Sequence, residues 1–249
     1  MNSPREPFFT LPRSLTAVVV LLAAIHLARQ FLSPDADELV LELFAFVPAR
    51  YDPTLLAAPF PGGFGAKVWT FATYALLHDD WAHIGFNVLW LLPFGSAVAR
   101  RFGAIRFFGF LIVTAAAGAL AHLITHNHDV AGMIGASASV SGTMGAATRF
   151  AFVQGSFLTP RNGGADAAAK VPALPLLQSL RNGRVMTFVA LWFATNLIFG
   201  IGYFNVGGSV QTVAWQAHIG GFLAGLLLFS LFDPVPTVTH ESGSDAPAN

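Results

Sequence analysis

Gly135-Ala136-Ser137-Ala138-Ser139-Val140-Ser141-Gly142 is a run of small residues that opens an apolar stretch of the chain. Hydrogen-bonding side chains are costly in hydrocarbon, and those found there are usually functional. Working outward from this run, His83 and Asn87 open a second apolar stretch and His218 opens a third. A serine, two histidines and an asparagine, each at the head of an apolar span, form a set of groups suited to acyl transfer.

Composition points to lipid as the solvent. The 249 residues are 54% hydrophobic and only 10% charged, where a soluble domain carries about 25% charged residues. Mean hydropathy is +0.60. Cysteine is absent, which excludes a disulfide framework and thiolate chemistry. The formal charge is zero, so nothing favours nucleic acid as a partner.

Six segments approach the roughly 20 apolar residues that a spanning helix needs: 14–32, 82–98, 104–123, 137–152, 185–203 and 213–231. They predict an all-α membrane protein, a six-transmembrane-helix bundle over 14–232. Residues 1–13 form a cytoplasmic segment, and the polar stretch 233–249 reads as a disordered cytoplasmic tail. No small-residue cleavage site follows the first apolar run, which is therefore expected to be retained. Pro93 interrupts the second span and the fourth is short, features suited to helices surrounded by protein. The segment 38–51 in the long connection 33–67 reads either as an amphipathic element in the outer interface or as a folded loop.

Loop charges set the orientation. With the N-terminus inside, ten of the thirteen Lys and Arg residues fall on the cytoplasmic side, leaving Arg29, Arg50 and Lys67 outside. That bias predicts an N-in, C-in chain. Spans two, four and six then all run from outside to inside, which brings His83, Asn87, Ser137 and His218 to one depth.

Serine needs a neighbouring base to become a nucleophile, and histidine is the usual one. Gly221 and Gly225 follow His218 on its own helical face, and span four carries Ser137, Ser141 and Gly145 at helical spacing. Small-residue stripes let membrane helices approach closely. Span six is thus expected to pack on span four with His218 facing Ser137. The spans hold no Asp or Glu, so a Ser–His dyad is expected rather than a triad. Backbone N–H groups at the start of span four, with His83 and Asn87 on one helical face, can stabilise an oxyanion.

These residues also resemble a family, the rhomboid intramembrane serine proteases, over about residues 14–231. The matching motifs are His78 with Trp81-Ala82-His83-Ile84-Gly85-Phe86-Asn87, then Gly135-Ala136-Ser137, and Ala217-His218-Ile219-Gly220-Gly221 with Gly225. The resemblance implies Ser137 as nucleophile, His218 as base, and His83 and Asn87 as oxyanion-stabilising side chains. It also implies a six-helix core, a first loop partly embedded in the interface, and mobility near the fifth helix that admits substrate. Two departures stand out. Ala138 follows the serine where the family usually has Gly, placing a methyl group near the oxyanion site. Ala99-Arg100-Arg101 occupies the inner end of span two, where members commonly carry an acid.

Other polar residues have plainer readings. Ser139 and Ser141 suit helix packing, and His78 suits either a loop position or a supporting role. His122, His126, His128 and Asp129 are read as a span end and a polar loop rather than a metal site. No cofactor or metal is expected. Trp69, Trp81 and Trp215 suit interface anchors. The expected function is an intramembrane serine endopeptidase that cleaves single-span membrane proteins near the outer leaflet. The alternative is a rhomboid-like pseudoprotease that binds transmembrane helices without cutting them. A transporter is disfavoured by the lack of acids in the spans. Partners are then the lipid bilayer and single-span substrates, with no nucleic acid, and oligomeric state is not encoded in any motif. A multi-pass bacterial inner-membrane location is expected from the short N-terminus without a transit peptide.

Overall fold

Helices occupy each of the six apolar segments. The computed structural model describes residues 11–52, 54, 60–158, 164–200 and 214–236. In chain order the helices are α1 (Arg13–Arg29), α2 (Pro34–Phe44), α3 (Gly63–Thr73), α4 (Trp81–Phe102), α5 (Ala104–Thr125), α6 (Ser137–Ala147), α7 (Gly164–Ala169), α8 (Leu176–Arg181), α9 (Gly183–Gly200) and α10 (Trp215–Phe232). Among the described residues there is no strand; an isolated antiparallel bridge joins Phe46 and Met133. Helices α4, α5 and α10 are long and apolar enough to cross a membrane. Their outward faces fit that solvent: Leu223, Leu227 and Leu231 form an exposed stripe on α10, as Ile105, Ile112 and Ile124 are exposed on α5.

Helix α4 runs unbroken past Pro93, whose ring lies on the exposed side and so removes one backbone bond without a packing clash. It stops at Gly103, whose φ of 73° suits glycine and lets α5 begin at the next residue.

Helix α6 is shorter than the apolar pattern predicts. It ends at Ala147, with turns beyond it, and its eleven residues extend only about 17 Å, against a hydrocarbon core of about 30 Å. Its Ala, Gly, Ser and Thr side chains are nearly all buried, with α4, α5 and α10 packed around it. Ser139 donates to the Leu111 carbonyl of α5 at 2.8 Å, a packing bond between helices.

The packing of α10 on α6 is set by glycines. A Cβ at Gly221 would overlap the Ala138 carbonyl, one at Gly225 the Gly142 carbonyl, and one at Gly145 the Phe222 carbonyl. The contacting stripe on α6 is thus 138, 142 and 145: it keeps Gly145 of the expected stripe, and Ala138 and Gly142 stand in place of Ser137 and Ser141. The pairs 221 with 138 and 225 with 142 also show that the helices run parallel in register. Gly221→Ala is expected to destabilise the protein by more than the roughly 1–3 kcal/mol of ordinary overpacking, because backbone must move. Leu223→Ala, on the exposed face, serves as control. Unfolding in detergent micelles measures both, and equal midpoints would count against this packing.

The connection 33–67 is helical in part. Ser33 caps α2, whose first turn carries Asp35 and Asp37, and a 3-10 turn follows at Pro48–Tyr51. Helix α3 was not evident in the apolar pattern; it packs on α5. Asp233, read as the first tail residue, is fastened to the fold: Arg101 donates to both its carboxylate oxygens at 2.8 Å. Residues 1–10 and 237–249, most of the two terminal segments, lie outside the described residues.

Candidate functional site

The loop before α6 is held from several sides. Phe46 and Met133 exchange backbone hydrogen bonds at 3.1 and 2.8 Å. Gly135 N–H donates to the Tyr74 carbonyl at 3.0 Å, while the Tyr74 hydroxyl donates to Ala115 of α5 at 2.9 Å. Ala136 N–H donates to His78 Nε2 at 3.3 Å. Burial pushes the His78 imidazole down to about 3, so near neutral pH it is uncharged and able to accept that bond. The His78 carbonyl is in turn bonded by Arg29 at 2.8 Å, and Arg29 also grips both carboxylate oxygens of Asp37. His78 therefore supports the loop directly. Arg29 and Tyr74 support it as well, and no catalytic pattern would have singled out either one.

Ser137 is the first residue of α6 and is half-buried. The first intrahelical acceptance is by Ala136, from Val140 N–H at 2.9 Å, so the N–H groups of residues 137–139 have no acceptor within the helix and stand at its positive end. Among the described residues Ser137 Oγ has no hydrogen-bond partner. His83 lies against the same loop: a Cβ on Gly135 would come within 2.7 Å of His83 Nε2. Gly135 also has φ of 116°, a conformation that L side chains rarely adopt. Both conditions require glycine two residues before Ser137.

Asp80 positions His83 by capping α4, accepting His83 N–H at 2.7 Å. Asn87, one turn later, is buried. Its amide donates one proton to the His83 carbonyl at 2.9 Å, leaving the second amide proton for another acceptor. Four residues apart on one helix, the two side chains share a face.

His218 stands one turn before Gly221 on α10, so the parallel register with α6 brings it to the level of the loop that carries Ser137. No hydrogen bond joins His218 to Ser137 among the described residues; such bonds are often loose before substrate binds. His218 Nδ1 is instead 2.5 Å from Asn196 Oδ1 on α9. Asn196 is an amide rather than an acid, so a pattern of carboxylates does not reveal it. It is an asparagine inside an apolar span, the kind of polar intrusion that draws attention in lipid.

The Ala138 methyl packs towards α5, beside Gly118: a Cβ there would come 2.5 Å from the Ala138 Cβ and 2.8 Å from the Ala217 carbonyl. Gly118 thus makes room for the methyl that distinguishes this run. At the end of α5 and in the connection from it to α6, His128 pairs with Asp52 at 2.7 Å, and the His122 and His126 rings stack with centroids 4.6 Å apart. Among the described residues no group of three His, Cys, Asp or Glu is placed to hold a metal.

Comparison with known proteins agrees on a family. The model described as Rhomboid domain matches residues 65–233. The chain is similar to the Rhomboid protease GlpG of Enterobacter sp. (strain 638), 25% identical over 230 residues, covering 92% of this chain and 68% of that protein. It is also similar to the proteins of that name from Yersinia pseudotuberculosis serotype I (strain IP32953) and Serratia proteamaculans (strain 568). Each is 25% identical, over 70% and 65% of this chain. The chain spans about half the length of these last two, 51% and 47%.

Proposed function

The chain belongs to the rhomboid family, and from that premise we propose that it is an intramembrane serine endopeptidase with Ser137 as nucleophile and His218 as base. The observation that carries the reading is the convergence at the head of α6. Three separate parts of the chain come to one level there: the Gly135 loop, α4 with His83 and Asn87, and α10 with His218. The proposed protein crosses the membrane six times with both termini inside, through α1, α4, α5, α6 together with the turns that follow it, α9 and α10, in a bacterial inner membrane. Loop charges support the orientation, and the bacterial relatives named as rhomboid proteases support the location and the activity.

In the proposed chemistry, His218 takes the Ser137 proton as the hydroxyl oxygen attacks a substrate carbonyl. The tetrahedral oxyanion is met by His83, Asn87 and the free N–H groups at the start of α6. Collapse expels the amine, protonated by His218, and leaves an acyl-enzyme that water hydrolyses. An intact substrate helix keeps its carbonyls bonded, so helix-breaking residues near the cleavage point should favour reaction.

A serine-reactive fluorophosphonate probe tests the assignment without a natural substrate. Wild type is expected to label, and Ser137→Ala and His218→Ala are not. Labelling that persists in Ser137→Ala would move the nucleophile elsewhere. A folded wild type that never labels would favour the pseudoprotease reading, which draws on the missing Ser137–His218 hydrogen bond.

A further inference from the structure

Helix α9 is peripheral: Val185 is its only buried residue among those described. It nevertheless contacts its neighbours through one stripe at four-residue spacing. Phe188 meets Phe94 and Phe152 with ring centroids 5.5 and 5.6 Å away. Trp192 stacks on Phe222 at 4.2 Å, and Gly200 lies against the Trp215 ring. Asn196 falls between the last two, a polar group in an otherwise apolar or small seam.

The orientation of its amide follows from chemistry. Asn196 Nδ2 donates to the Trp192 carbonyl at 2.9 Å. Reversing the amide would set two acceptor oxygens against each other, since a carbonyl can only accept. Oδ1 is therefore the atom that faces His218 Nδ1, at 2.5 Å. An amide oxygen only accepts, so the proton of that bond belongs to Nδ1 and a neutral imidazole is left with a bare Nε2. A general base for Ser137 needs that unprotonated nitrogen.

We propose that Asn196 is a positioning residue for the His218 base, fixing its Nδ1–H tautomer and ring orientation from α9. The inference rests on the protease reading above. Because the amide is anchored to its own helix backbone, the bond also ties the aim of the base to the placement of α9.

Three variants and two readouts test this. Asn196→Leu is expected to lower kcat by roughly 10²-fold, as misplacement of a catalytic group does, with KM little changed and the unfolding midpoint retained. Asn196→Asp, which keeps an acceptor at the same place, is expected to recover most of that turnover. In ¹⁵N-histidine spectra of the intact protein in micelles, assigned through His218→Gln, His218 is expected to show the Nδ1–H tautomer in wild type and lose it in Asn196→Leu. An unchanged tautomer and kcat in Asn196→Leu would overturn the proposal while Ser137 labelling stayed intact. So would a rise in KM alone, or an aspartate no better than leucine. Absence of Ser137 labelling in wild type would overturn the protease reading, and the catalytic role of Asn196 with it, whatever tautomer the spectra show.

Discussion

Ser137→Ala, His218→Ala and the double variant are expected to fall to one shared floor of cleavage, roughly 10⁴-fold or more below wild type. The two side chains act on a single proton, so removing either disables the step and removing both costs little more. What survives on that floor is binding and the oxyanion donors, which stay in place in all three proteins. The prediction is demanding because both residues have simple structural duties to fall back on: one opens a helix and the other lies near a close helix contact. If packing were their only role, each change would lower stability in proportion to activity, and the double variant would show the sum. Time courses on a single-span substrate in proteoliposomes, beside unfolding curves of the same proteins, separate the two outcomes. Independent, additive losses would refute the dyad.

The second large effect concerns stability at the other end of the bundle. Arg101 is fully buried beside Asp233 and donates to both its oxygens, to the Ala169 carbonyl at 2.9 Å and to the Val171 carbonyl at 2.7 Å. Its guanidinium lies 4.7 Å over the Phe150 ring and 5.4 Å over Phe229. One side chain therefore gathers the end of α4, the segment after α7, the turns after α6 and the end of α10. Arg101→Met is expected to cost about 3–5 kcal/mol, because it leaves a buried carboxylate without its partner. Adding Asp233→Leu to that change should recover much of the loss, since the uncompensated charge is then gone. Denaturant titration in micelles measures both. If the single variant unfolded like wild type, the buried pair would have no structural weight. Cleavage per folded molecule should be little altered, as the cluster lies at the opposite end of α4 and α10 from His83 and His218.

Much of this was legible in the sequence because lipid makes the pattern blunt. A hydrophobic run of spanning length has few alternatives to a helix, and the boundaries of α4, α5 and α10 fall within a few residues of the apolar segments. Ser137, His83 and His218 stood out because polar groups at span ends are rare. The glycines after His218 announced close packing, though not its face: which of Ser141 and Gly142 meets α10 is invisible when both are small. Helix α3 escaped because it is short and its Gly, Lys and Thr residues give no apolar period. Arg29, Tyr74 and Arg101 act through backbone carbonyls distant in sequence, and residue identity does not say which carbonyl a donor will find. Asn196 was legible as an intrusion in an apolar span, yet only the fold joins it to His218 across 22 residues.

The groove that receives α10 also bears on the order of synthesis. Ser137 leaves the ribosome 81 residues ahead of His218. Until α10 follows, the Ala138, Gly142 and Gly145 face of a helix too short to span the bilayer has nothing to close it. On the protease reading the nascent chain therefore carries a nucleophile without its base. On that reading reactivity begins only when the two faces meet, and an unfinished chain would not cut the single-span proteins around it.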